Sequence, residues 1–305
     1  MLDLSQIQKT VSFGNLELLA RQIVEGYIVG LHKSPFHGFS AEFAEHKRYN
    51  QGESTKHIDW KLFAKTDNMF TKRFEEETNL RCHIIIDNSG SMHFPEQKEF
   101  DINKLNKINF AILASAVLMQ LLKKQRDAVG LSIYDEKYTY YAPEKTSERH
   151  HKLLLHQLEQ LTASKPRTKT NTYKVIHEIA KNLKRRSLVI LFTDMFQPDI
   201  DQEKLFEALQ HLKFNKHEVV LFHIYDKSLE ESFDFENTAS QFVDIETNEK
   251  INLFADQIKT NYQEKMQVFY NKLKTNTLKY KINYVPVAIQ NDFKQVIKIF
   301  LQNRN

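Results

Sequence analysis

A chain of 305 residues with 41% hydrophobic content can bury a full core, which excludes a predominantly disordered state. Its 43 Lys and Arg against 39 Asp and Glu leave a formal charge of +4, too slight an excess to imply nucleic acid or another polyanion as partner. The single cysteine, Cys82, excludes an internal disulfide and any multi-cysteine zinc centre, and suits a reducing compartment.

The N-terminus, MLDLSQIQKTVSFGNLELLARQ, lacks the basic start and continuous apolar core of an export signal, so the chain is expected to be cytoplasmic. An amphipathic stretch follows near residues 16–29. Four of the seven glycines then fall between Gly26 and Gly52, with little periodicity around them. Residues 1–80 are therefore expected to form an N-terminal helix and an extended arm packed on a sheet built by residues 81–305. In that arm Trp60, the only tryptophan, and Asp59 are expected to dock through burial and a paired charge.

From Cys82 onward, apolar strand-like runs alternate with helical patterns. CHIII leads to a helix over about 105–123, and AVGLSIYD and KYTYYAP read as strands joined at a turn around Asp135 and Glu136. Helices follow near 149–162 and 172–184. SLVILFTD and EVVLFHIYD, apolar on both faces, read as buried parallel strands with a helix near 201–213 between them. A helix near 252–275, the strand KINYVPV and a helix near 291–302 complete an α/β, doubly wound, mostly parallel sheet flanked by helices. The longest apolar run, Phe110 to Leu122, is interrupted by Ser115 and Gln120 and falls short of the ~18 to 20 residues of a membrane span. The basic clusters at 123–126 and 184–186 sit at helix C-termini, where they are expected to face water. His150 and His151, at a helix start, are expected to do the same.

Three apolar strands end in aspartate: Asp87, Asp194 and Asp226. In such sheets ligands bind at the carboxyl ends of the strands. Asp87, Ser89 and Ser91 are spaced two apart, and a turn through Gly90 could aim all three oxygens at one point, as a hard cation requires. Thr170 and Thr172, just ahead of a helix, and Asp194 can join them. Such a set is mostly neutral, so a bound Mg²⁺ would keep waters or an open position for a carboxylate from a partner.

Enzyme signatures are sparse. No glycine sits in a GxxxxGK[ST] or GxGxxG arrangement and no HExxH occurs. The second aspartate of a phosphatase DxD pattern is Ser89 here. A metal-dependent phosphoesterase is the alternative that a strand-end Mg²⁺ site leaves open, and a nucleic-acid-binding domain acting through the basic helix ends is a lesser one.

The string DNSGS resembles the DxSxS form of the metal-ion-dependent adhesion site of von Willebrand factor A domains, and RTKTNTYKVI and FTD resemble its threonine and second aspartate segments. The resemblance implies a von Willebrand A-like, Rossmann-like domain. It also implies Mg²⁺, with Mn²⁺ or Ca²⁺ as substitutes, held by Asp87, Ser89, Ser91, Thr170 and Asp194, with Thr172 the close rival of Thr170. The stretch upstream, GFSAEFAEHKRYNQGESTKHIDWKLFAKTDNMFTKRFEEE, is similar to the signature of a domain-of-unknown-function family associated with MoxR-type AAA+ ATPases. Glu42, Arg48, Tyr49, Gly52, Asp59 and Trp60 carry that likeness. Glu53-Ser54, Lys56 and Lys65 depart from it, and a lysine cannot reproduce bidentate arginine geometry. Together the resemblances imply a non-enzymatic, metal-dependent protein-binding module that works with a MoxR-type ATPase on a client protein; many relatives carry membrane helices ahead of the arm, whereas the apolar runs of this sequence lead to the expectation of none here.

Overall fold

The computed structural model describes residues 16–31, 46–48, 60–66, 68–72, 80–97, 100–102, 104–163, 172–196, 199–214, 216–236, 239–243, 249–290 and 293–302. The chain divides into two units, residues 29–79 and residues 1–28 with 80–305. In the smaller unit β1 (His46–Arg48) pairs antiparallel with β2 (Phe70–Lys72), and α2 (Trp60–Thr66) lies between them in sequence. Trp60 is not the buried anchor its sequence context suggested: it is 60% exposed and meets Phe63 edge-on at 6.2 Å. Glu42, Tyr49, Gly52 and Asp59 lie outside the described residues, and Arg48 ends β1.

The larger unit is built on six strands: β3 (Arg81–Asp87), β4 (Ala128–Tyr134), β5 (Tyr138–Lys145), β6 (Leu188–Thr193), β7 (Glu218–Tyr225) and β10 (Asn283–Ala288). Their order is β10-β7-β6-β3-β4-β5, all parallel except β5, which returns antiparallel to β4. β3, β6 and β7 are buried on both faces, which is why their sequences are mostly apolar, broken by the buried His83 and His223, and not alternating. A separate hairpin pairs β8 (Ala239–Val243) with β9 (Lys250–Phe254).

Helices cover both faces, each over its own apolar cluster. On one face α1 (Leu16–Leu31), α3 (Lys107–Lys124), α4 (Glu148–Ala163) and α8 (Phe293–Gln302) pack over Ile84, Ile86, Leu131 and Phe192. On the other, α5 (Thr172–Asn182), α6 (Asp199–Phe214) and α7 (Ala255–Lys279) pack over Ile85, Val189, Leu191 and Leu221. α1 joins the core through Leu16, Leu19, Ala20 and Val24, a helical stripe in which each Leu or Val contributes about 1.5–3 kcal/mol by burial. α3 is buried from Lys107 to Leu122, as a helix apolar all round must be. His150 and His151 are buried, contrary to the expectation of a solvated helix start: His150 Nε2 lies 3.0 Å from the Val129 carbonyl, tying α4 to β4.

From β3 the chain proceeds through α3 to β4 on one side, and later through α5 to β6 on the other. The connections leave β3 and β6 over opposite faces, which opens a crevice at their carboxyl ends, where a doubly wound sheet places its site.

Candidate functional site

β3 delivers Asp87 to this crevice. The β3–β4 pairing continues one residue further, with the Asn88 N–H donating to the Tyr134 carbonyl at 2.7 Å, so the chain cannot turn away before Ser89. It then winds into a short 3₁₀ turn, Gly90–His93, and carries Ser91 back beside Ser89 with their hydroxyl oxygens 3.1 Å apart. Asp87 accepts the Ser89 N–H on Oδ1 at 3.0 Å and the Thr193 hydroxyl on Oδ2 at 2.8 Å. The Ser89 and Tyr134 side chains interact with the same carboxylate, so Asp87 is surrounded by hydroxyl groups.

Thr193 is the link between the two strand ends. Its oxygen also accepts the Met195 N–H at 3.1 Å, and Met195 takes a positive φ of 58°, which turns the chain sharply after Asp194. Asp194 Oδ1 accepts the Phe196 N–H at 3.1 Å and Oδ2 the Lys107 ammonium at 2.8 Å. Thr172, the first residue of α5, is buried, and the Tyr134 hydroxyl donates to its Oγ1 at 3.4 Å. Thr170 lies outside the described residues. Of the sequence-derived set, then, Asp87, Ser89 and Ser91 are linked by hydrogen bonds, Thr193 ties Asp87 to the end of β6, Asp194 follows Thr193 in the chain with its own bonds going to Phe196 and Lys107, and Thr172 stands against Tyr134.

The electrostatics follow from burial. Burial and then the charge of Asp194 push Asp87 up to about 6, against the Thr193 and Ser89 bonds that favour its ionised form. Burial and the Asp87 charge likewise raise the Tyr134 phenol well above its ordinary value, so it remains a neutral donor. Lys107 is wholly buried; burial alone would lower its pKa, but Asp194 and Glu230 outweigh burial and the ammonium is held firmly protonated. Among the described residues no three His, Cys, Asp or Glu side chains form a metal-holding cluster, so a cation here would depend on hydroxyl donors as well as carboxylates.

Asp226, the third strand-end aspartate, does different work. Its Oδ1 accepts the Ser228 N–H, Ser228 hydroxyl, Leu229 N–H and Gln290 amide between 2.8 and 3.0 Å, capping the turn Lys227–Glu231. That turn presents Glu230 to Lys107 at 2.5 Å. Lys107, Thr193, Tyr134 and Glu230 were all missed from sequence. Lys107 had one legible signal, a lysine opening a helix otherwise too apolar to face water.

A second polar cluster lies among the strands. His83 Nδ1 is 2.7 Å from Glu144 and Nε2 is 2.7 Å from Ser132, the order of a serine hydrolase triad. Both His83 and Ser132 have no exposed surface, and Tyr141 stacks on the imidazole at 5.6 Å. A nucleophile must reach its substrate, so this is a buried brace across β3, β4 and β5.

The family pattern described as Protein of unknown function DUF58 matches residues 45–270. Two mycobacterial relatives, uncharacterized protein Mb1516 of Mycobacterium bovis and uncharacterized protein Rv1480 of Mycobacterium tuberculosis, are each 20% identical over 196 residues. Each alignment covers 64% of this chain and 60% of the relative's length. Among solved structures, an aerotolerance-related membrane protein from Bacteroides fragilis is 13% identical with a TM-score of 0.47, over 74% of this chain and all of that one. The conserved hypothetical protein BatB from Bacteroides thetaiotaomicron is 15% identical with a TM-score of 0.43, over 73% of this chain and 99% of that one. Among the described residues no helix is long and apolar enough to cross a membrane.

Proposed function

The chain belongs to the DUF58 family, and we propose that it is a non-enzymatic, von Willebrand A-like binding module that captures a partner carboxylate through a divalent cation. The observation that carries this reading is the 3.1 Å separation of the Ser89 and Ser91 hydroxyls beside the Asp87 carboxylate. Neighbouring ligands of a Mg²⁺ octahedron, at 2.0–2.1 Å from the metal, lie about 3 Å apart. The donor chemistry is also that of a hard cation: every candidate ligand is oxygen, and Asp87 with Asp194 balances two positive charges.

In this reading the ion supplies electrophilic attraction for an incoming Asp or Glu. Ser89 and Ser91 hold it directly, Asp87 and Asp194 neutralise it, and Thr172 or Thr170 completes the protein's share. Thr193 and the Ser89 N–H favour the ionised form of Asp87 and hold the carboxylate in place. Mg²⁺ is the proposed ion, with Mn²⁺ or Ca²⁺ as substitutes. The proposed partners are a MoxR-type AAA+ ATPase and a client protein, and the proposed location is the cytoplasm, where Cys82 would stay a thiol.

The test is a calorimetric titration of the full chain with a MoxR-type ATPase from the same organism, in Mg²⁺ and in chelator. Binding is expected only with Mg²⁺, and Ser89→Ala is expected to abolish it while the fold persists. Equal binding in chelator would overturn the reading. Binding that falls steeply with salt but ignores chelation would assign it to the basic surface instead.

A further inference from the structure

We infer that Lys107 and Glu230 form a tuning pair that sets how tightly the site holds its cation, with Glu230 cancelling a lysine charge that would otherwise repel the ion. The inference rests on reading Asp87, Ser89, Ser91 and Asp194 as ligands, and adds two residues that touch neither the ion nor the partner.

The position of Lys107 needs an explanation. It is the first residue of α3, where the aligned backbone N–H groups disfavour a cation, and its side chain has no exposed surface. A buried ammonium is tolerated only when its partners replace water. Lys107 has two, Asp194 at 2.8 Å and Glu230 at 2.5 Å, with the Phe94 and Phe196 rings at 5.9 and 5.2 Å. One carboxylate already balances the charge of the ammonium, and Asp194 supplies it; Glu230 occupies a second of the three N–H donors and adds a further negative charge.

Glu230 is held in place independently of the ion. Its other oxygen accepts the Asp226 N–H at 2.7 Å, and the turn that carries it is capped by Asp226. The end of β7 thus fixes a third carboxylate behind the lysine, out of contact with the serine hydroxyls. The charge count follows. Asp87, Asp194 and Glu230 with Lys107 sum to −2, which a divalent ion neutralises. Without Glu230 the sum is −1, and the whole ammonium charge falls on Asp194, one proposed ligand away from the ion. Without Lys107 the sum is −3.

Removal of either member therefore moves the affinity in opposite directions, which loss of a merely structural contact cannot do. Mg²⁺ and Mn²⁺ are titrated calorimetrically into the full chain and three variants, each checked for fold by circular dichroism. Glu230→Gln is expected to weaken binding at least about tenfold, and Lys107→Met to tighten it by a similar factor, because a unit charge in a low-dielectric site acts strongly on a divalent ion. The double variant Lys107→Met/Glu230→Gln, which removes a neutral pair, should return to within about threefold of wild type. If Glu230→Gln does not fold, tightening by Lys107→Met still tests the sign. Weakening by both single variants, or no change in either, overturns the tuning role. A wild-type chain that takes up neither metal overturns the ligand reading itself, and the inference with it.

Discussion

Asp87→Asn should make the metal-free protein more stable at pH 8 and less responsive to metal. Asp87 is 1% exposed, and burial with the charge of Asp194 raises it from the ordinary 3.8 to about 6. At 1.36 kcal/mol per unit, keeping it ionised in the folded state costs about 3 kcal/mol. The sign follows from the raised value. The favourable contribution of the protonated acid is complete below the unfolded pKa of 3.8 and is lost as pH rises through about 6. Asparagine removes this penalty. Its oxygen can still accept from Ser89, while its amide must donate to a Thr193 hydroxyl that formerly donated, a mismatch of about 1 kcal/mol. The net gain at pH 8 in chelator is therefore about 2 kcal/mol, reversing to a loss of about 0.5 kcal/mol at pH 4. In Mg²⁺ at 100 times the dissociation constant, wild type gains about 2.7 kcal/mol that the variant lacks, and the ranking inverts. Denaturant titrations of both proteins at the two pH values, with chelator and with Mg²⁺, measure all of this. A variant less stable than wild type at pH 8 in chelator, by a margin independent of pH, would refute the assignment of Asp87 as a charged group held for a ligand.

Burial lowers His223 to about 4, so its contribution has the opposite sign: it is complete above pH 6.5 and is lost as pH falls through about 4, up to about 3 kcal/mol. His223→Phe should flatten that acid limb of the stability curve, and a limb of unchanged slope in denaturant titrations would disprove the contribution. Gly130→Ala would place a Cβ 2.5 Å from His83 Nδ1 and 2.9 Å from the Ala142 carbonyl oxygen, prising the imidazole from Glu144 and Ser132. Overpacking of this kind is expected to cost about 1–3 kcal/mol in thermal or chemical unfolding, and a neutral result would mean the sheet yields at that point.

The parallel strands were legible because burial on both faces leaves a mostly apolar sequence without alternation, and their strand-end aspartates marked the crevice. The β8–β9 hairpin was not legible, and residues 252–254 were read as helix. Val243, Ile251 and Phe254 are exposed, so no core imposes an alternation that could be recognised. The site divides similarly. Asp87, Ser89 and Ser91 are near in sequence, and one turn assembles them. The pairing of Lys107 with Glu230 spans 123 residues and exists only because the ends of β6 and β7 and the start of α3 meet. Trp60 was misread because a lone tryptophan is usually buried, a tendency that says nothing about a particular site.

The three aspartates show how one sequence signal resolves into separate roles. Asp226 is followed by Lys-Ser-Leu-Glu, a segment able to wind into a turn, and its Oδ1 is spent on four donors from that turn and Gln290. Asp194 is followed by Met-Phe in a left-handed bend, which turns one oxygen to the backbone and leaves the other for a lysine. Asp87 alone is followed by residues small enough to fold two hydroxyls back beside it, and the Ser89 N–H on one oxygen and the Thr193 hydroxyl on the other hold it. A strand-end carboxylate in a buried crevice must be capped, paired with a cation or left at a cost. Asp226 takes the first course and Asp194 the second. Asp87, raised by burial and then by the charge of Asp194, bears the cost, and that uncompensated charge is the physical reason for centring the proposed cation site on Asp87.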